Sequence, residues 1–237
     1  MSALDSLLEQ TASRHSHLCP RQVLGVRLGL EGLRLLDLDA PRNDKRLLVI
    51  LETDGCFADG VEVATGCTVG HRTLRVVDYG KIAATFVDTK TGEAVRLAPR
   101  RDVRQRAYAH APQEKRHYFA QLQAYQVMPD EELFTFAAVQ LTTSIAEILS
   151  RAGVHTNCSA CGEEIINQRE ILIDGAPYCL SCAQGGYYRP VVAALWPAVV
   201  EEPDHAPVLL VGRSFPGPQS PGTDCQLRTG LVGETVY

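Results

Sequence analysis

The sequence predicts an α+β protein: a mixed-sheet core domain followed by a small four-cysteine zinc module. Three observations predict it. Helical and strand periodicities follow one another irregularly (helix, helix, strand, helix, several strands, helices, strand, helix), unlike the regular alternation of a parallel βα fold. Two Cys-x2-Cys pairs then come close together, at Cys158/Cys161 and Cys179/Cys182. After Tyr188, prolines at 190, 197, 203, 207, 216, 218 and 221 argue against a further compact unit. The expected organisation is a core over residues 1–154, a zinc module over 155–188 and a proline-rich tail over 189–237.

The elements follow in order. Leu4, Leu7 and Leu8 at helical spacing predict a short N-terminal helix. Pro20 suits the first position of a second helix, whose apolar face runs from Val23 to Leu36. Gly25, Gly29 and Gly32 each lower its propensity by roughly 1 kcal/mol relative to Ala, so its backbone is expected to pack closely on a neighbour, most simply a sheet. Residues 46–53 (RLLVILET) read as a buried strand. Asp59 with Glu62 fits a capping box and Gly66 a C-terminal cap, predicting a two-turn helix over 60–66. Residues 74–78 and 81–88 read as strands around a tight Tyr79-Gly80 turn, and 95–98 as a further strand. Residues 100–125 are helical in pattern with a break at Pro112, 134–141 form a strand, and 144–151 a helix. In the tail, 208–212 could add an edge strand.

A chain of 237 residues with 45% hydrophobic and 22% charged content can bury a core without disulfides. Its net charge of −5 and pI of about 5.8 give no long-range attraction to nucleic acid or an acidic membrane. The first twenty residues lack a secretory pattern, and the longest apolar stretch, 191–200, is broken by Pro197 and too short to span a bilayer. The chain therefore reads as cytoplasmic and complete, with no membrane partner. Motifs for nucleotide loops, zincins and serine hydrolases are absent.

Eight cysteines without an export signal point to metal or redox chemistry. Cys158, Cys161, Cys179 and Cys182, with seventeen residues between the inner pair, match a closed tetrahedral zinc site, which is structural because it has no open position. A turn at Gly175 suits a hairpin between the pairs. Asn157-Cys158-Ser159 matches a glycosylation sequon, which reads as accidental. In the core, His15, His17 and Cys19 recur at every second residue, so an extended segment would turn all three to one side. Cys19 precedes a proline and should be extended, at a helix N-terminus that favours a thiolate. Cys56 and Cys67 flank the helix predicted at 60–66, so one of them is better placed than both to join Cys19 and His17. The small residues of Thr65-Gly66-Cys67-Thr68-Val69-Gly70 could also hold an anion.

Taken together, His15-Ser16-His17-Leu18-Cys19-Pro20, residues 54–74 around Thr65 to Gly70, the Asp78-Tyr79-Gly80-Lys81 turn and the cysteine module ending in Tyr187-Tyr188 resemble the FmdE family, which takes its name from formylmethanofuran dehydrogenase. The resemblance covers residues 5–188 and departs from the family pattern at Ser16, Arg21 and His71. It implies a core related in fold to the catalytic domain of glyceraldehyde-3-phosphate dehydrogenase, with a zinc-ribbon or treble-clef-like module. It also implies association with molybdenum or tungsten oxidoreductases or their maturation, without an established reaction. The family's shared residues fall on His17, Cys19, Cys56, Cys67 and Lys81.

The leading expectation is a metal-binding accessory protein with a structural zinc and a second core site of His17, Cys19 and Cys56 or Cys67, suited to zinc in open coordination. One alternative is an enzyme of sulfur or acyl transfer with Cys19 or Cys67 as nucleophile, His17 or His71 as base and Lys81 as anion anchor. Another is a nucleic-acid or protein adaptor built on the zinc module, with the arginines of residues 100–106 as its support, although such runs are usually a solvated helix face. The glycine spacing of the second helix also suits a homodimer contact.

Overall fold

The computed structural model describes residues 2–39 and 44–188; the expected edge strand at 208–212, the apolar stretch at 191–200 and Cys225 lie outside them. Helix α1 (Ala3–Ala12) opens on a Ser2/Asp5 capping box and leads through a bend to α2 (Pro20–Leu35). Strand β1 (Leu47–Leu51) and helix α3 (Cys56–Thr65) follow, then β2 (Leu74–Val76), β3 (Ala84–Asp88) and β4 (Ala94–Pro99). The arginine-rich segment forms α4 (Val103–His110), followed by α5 (His117–Val127) and a single turn, α6 (Asp130–Leu133). The core closes with β5 (Phe134–Ala138) and α7 (Ile145–Leu149).

The five core strands form one mixed sheet in the order β2-β1-β3-β4-β5, with β1 and β2 parallel and the other pairs antiparallel. This is the expected α+β class. The strands on either side of the Tyr79-Gly80 turn, however, do not pair with each other: β1 lies between them. The turn was legible; the inserted strand was not, because β1 is set by pairing at long sequence separation. Leu47, Val49 and Leu51 face the helical layer with Phe86 and Leu97, while Leu48 and Val87 face the second side, covered by Val139, Leu141, Ile145 and Ile148. Alternation within β1 thus feeds two cores, which is why its sequence is continuously apolar.

The glycines of α2 pack as their spacing predicts, but against two neighbours. A Cβ on Gly25 would lie 2.3 Å from the Phe57 carbonyl oxygen, and one on Gly60 2.4 Å from that of Gln22, so α2 and α3 cross backbone on backbone. Gly29 meets Ala64 of α3, and Gly32 alone meets the sheet, through the Phe86 ring. Helix α3 begins four residues before the expected start at 60. Gly55, at φ 75° and ψ −156°, is its N-cap, a conformation that a side chain would strain. Asp59 is therefore not the cap but lies within the first turn, where Arg14 and His15 hold its carboxylate. Gly66 is the left-handed C-cap, as expected.

The C-terminal segment forms two hairpins, β6 (His155–Asn157) with β7 (Glu164–Ile166) and β8 (Ile171–Ile173) with β9 (Ala176–Tyr178), and ends in α8 (Leu180–Gln184). Asp174 and Gly175, both at positive φ, make the turn of the second hairpin, where the sequence placed it. Among the described residues no helix is long and apolar enough to cross a membrane.

Candidate functional site

The C-terminal cysteines converge. Cys158 and Cys161 sit in the turn joining β6 to β7, Cys179 caps α8, and Cys182 lies within it. One sulfur from each can be placed so that all four lie within 4.8 Å of one another, and the Cys161 and Cys179 sulfurs are 3.9 Å apart. Tetrahedral zinc with bonds of about 2.3 Å sets its sulfurs about 3.8 Å apart, so the donor set fits the ion. The Cys179 amide donates to the Cys158 sulfur at 3.3 Å and the Cys182 amide to the Cys179 sulfur at 3.4 Å. Such donors favour thiolates: backbone hydrogen bonds bring the Cys158 thiol down to about 6. A turn, a hairpin and a helix supplying the last two ligands is the treble-clef-like alternative of the two expected.

A second constellation lies in the core. Cys19 is the N-cap of α2, extended as expected at φ −120° and ψ 157°. Its sulfur accepts from the Gln22 amide at 3.4 Å while the Gln22 side chain accepts from the Cys19 amide at 2.9 Å, a capping box with a thiol in the place of serine. Cys56 is the first residue of α3. Because the two helices cross one turn further in, at Gly25 and Gly60, their N-termini meet and the thiols interact: burial raises Cys56, and hydrogen bonding from Cys19 raises it further. Both line a cavity of about 630 Å³. Leu24, Ile82 and Tyr125 form apolar wall, and Tyr118, whose hydroxyl donates to the Leu18 carbonyl at 3.3 Å, closes the side next to the thiols. Burial raises Tyr118, with the two thiols adding to it. Arg21, Arg100, Arg101 and Arg104 complete the lining.

Residues 14–135, just over half of the chain, match the family described as FmdE, molybdenum formylmethanofuran dehydrogenase operon. The chain belongs to the FmdE family. Residues 151–188 of this FmdE protein match the prokaryotic dksA/traR C4-type zinc finger, in agreement with the four converging thiols. A solved FmdE-like protein of Syntrophus aciditrophicus, described as belonging to a tungsten formylmethanofuran dehydrogenase, superposes with a TM-score of 0.51 at 22% identity, over 78% of this chain and 95% of that one. A probable S-adenosyl-L-methionine-binding protein of Archaeoglobus fulgidus is 39% identical over 99 residues, which are 40% of this chain. The FmdE chain spans only 27% of that relative's length.

The FmdE core brings together only part of the set expected from sequence. Cys19 and Cys56 meet. Cys67 does not join them: it is 1% exposed within the helical-layer core, and its thiol donates to the Leu47 carbonyl at 3.5 Å. Residues 15–17 form a bend rather than an extended segment, so His15, His17 and Cys19 do not share one side. His15 instead contacts the Asp59 carboxylate at 2.6 Å, and His17 contacts the Ser16 hydroxyl at 3.0 Å and does not line the cavity. Lys81 is exposed in its turn, with its ammonium 5.7 Å from the centre of the Tyr79 ring, and His71 is exposed as well. Among the described residues, the C-terminal cysteines are the one group of three or more potential ligands placed to hold a metal. What sequence reasoning missed is the arginines. The run at 100–106 reads as a solvated helix face, yet three of its four arginines line the thiol cavity.

Proposed function

We propose that this FmdE protein is an accessory protein of a molybdenum or tungsten oxidoreductase system, with a structural zinc in its C-terminal module and a thiol pair, Cys19 and Cys56, as its working site. Cys158, Cys161, Cys179 and Cys182 are the zinc ligands; a closed four-sulfur shell holds the module together and leaves the chemistry to the core. The observation that carries the reading is the meeting of Cys19 and Cys56 at one cavity, from residues 37 apart in sequence. Two soft donors beside an open cavity suit a thiophilic metal whose remaining positions are filled by a ligand. The family's operon description and the tungsten-enzyme description of the solved relative support the molybdenum or tungsten link.

Metal content per chain, measured by elemental mass spectrometry on the full-length protein, tests the reading. Two metals are expected in the wild type, one after Cys19→Ser/Cys56→Ser, and one after Cys161→Ser/Cys182→Ser. One metal in the wild type, unchanged by Cys19→Ser/Cys56→Ser, would refute a core metal and favour cysteine-based sulfur or acyl transfer.

A further inference from the structure

We infer that the arginine side of the thiol cavity is a binding site for the phosphate group of a small molecule, held by Arg21, Arg101 and Arg104 while its body lies between the thiols and the apolar wall. The inference rests on Cys19 and Cys56 marking the working site and names the chemical class of what enters it.

The first observation is charge without compensation. Arg21, Arg100, Arg101 and Arg104 all line the cavity, and no Asp or Glu does. Arg21, Arg101 and Arg104 have no hydrogen bond or ion pair with any described residue. The nearest acid in sequence, Asp102, is engaged elsewhere: Arg106 binds it at 2.7 Å, and Arg100 lies 3.5 Å from its other oxygen. By contrast, Arg27, Arg34, Arg46 and Arg96 of the same chain each pair with a carboxylate. In a protein of net charge −5, a concentration of unpaired guanidinium groups at one concave place is not a composition effect.

The second observation is the remainder of the lining. The Arg100 Nε is buried without a hydrogen-bond partner, and the helices that carry Cys19 and Cys56 both point their N-termini into the cavity, adding positive potential from their backbone dipoles. Several positive groups with no counter-charge favour a dianion over a monocarboxylate, and guanidinium forks match the oxygens of a phosphate. A cavity of about 630 Å³ is larger than inorganic phosphate requires and falls in the range of small-molecule sites. Leu24, Ile82 and Tyr118 offer surface for the remainder of such a ligand. The concavity distinguishes this site from a basic stripe along a nucleic acid, which is read by an open surface.

The test uses inorganic phosphate as probe, titrated into the full-length protein at constant ionic strength against chloride, with the arginine Nε–H signals followed in proton–nitrogen spectra. Saturable shifts of the Arg101 and Arg104 signals with phosphate alone are expected. Arg101→Gln/Arg104→Gln alters two exposed side chains without hydrogen bonds, so it should melt as the wild type does while phosphate binding weakens by about tenfold or more. Cys19→Ser/Cys56→Ser should keep phosphate binding within a few-fold, which separates failure of this inference from failure of the metal reading. Phosphate that acts no differently from chloride, or that binds Arg101→Gln/Arg104→Gln unchanged, overturns it. So does an affinity for single-stranded oligonucleotides that rises with their length and falls steeply with salt, which would assign the arginines to nucleic acid.

Discussion

The crossing of α2 and α3 makes Gly25→Ala the sharpest test of how the core builds its site. A Cβ at Gly25 would stand 2.3 Å from the Phe57 carbonyl oxygen and 3.0 Å from the Gly60 Cα, both backbone atoms of a buried helix that cannot rotate aside. Ordinary contact needs roughly 1 Å more, so the helices must part by about that distance over a face that includes Val26, Val61 and Phe57, all at most 1% exposed. Overpacking of this kind costs about 1–3 kcal/mol, and the loss of contact along the seam places the clash at the upper end. Alanine returns about 1 kcal/mol in helix propensity, leaving a net loss of about 2 kcal/mol. Urea unfolding followed by circular dichroism measures it. A second readout is local: Cys19 and Cys56 stand just outside the crossing, so parting the helices should slow formation of a Cys19–Cys56 disulfide under a fixed oxidant. A variant as stable as the wild type, or more stable by the propensity gain alone, would show that the helices do not cross backbone on backbone.

Other expectations follow from single contacts. Cys67→Ala removes a thiol that is 1% exposed in the core, so it should lower stability by about 1–2 kcal/mol and leave metal content unchanged; a lost metal would return Cys67 to the site. Asp88, 1% exposed and paired with Arg46 at 2.7 Å, is pulled down to about 2, chiefly by hydrogen bonding from that arginine. Its folded value lies below the unfolded one of about 3.9, so its contribution is fully present above about pH 4 and is lost as pH falls toward 2. Asp88→Asn should cost about 2 kcal/mol at neutral pH, and the deficit should shrink between pH 4 and 2, as read from urea midpoints; an equal deficit at pH 7 and pH 2.5 would contradict the pairing.

What the sequence revealed depended on how local the cause was. Pro20, Gly66, the Gly175 turn and the Cys-x2-Cys pairs act within a few residues, and each appears where its chemistry places it. The glycines of α2 announced close packing but not against what, because their partner Gly60 lies on a helix whose start was misplaced by an acceptable capping box at Asp59. The true start depends on Gly55 at positive φ, which resembles any loop glycine in sequence. The alternation of His15, His17 and Cys19 suggested one face only if the segment were extended, and the bend removed that premise. The choice between Cys56 and Cys67 was decided by tertiary packing: one begins a helix at the cavity, and the other turns inward beneath β1. The arginine run carries no periodicity that separates a solvated face from a cavity wall.

The cap of α2 ties reactivity to backbone order. Serine at that position would end the helix just as well and remain inert, whereas Cys19 gives one sulfur two duties: it receives the Gln22 amide, and it faces Cys56. Alkylating, oxidising or metallating that sulfur changes how well it accepts the amide proton, so each such event is also felt in the first turn of the longest helix of the core. Amide exchange at Gln22 therefore works as a gauge of the state of the thiol, readable without any knowledge of what the protein binds.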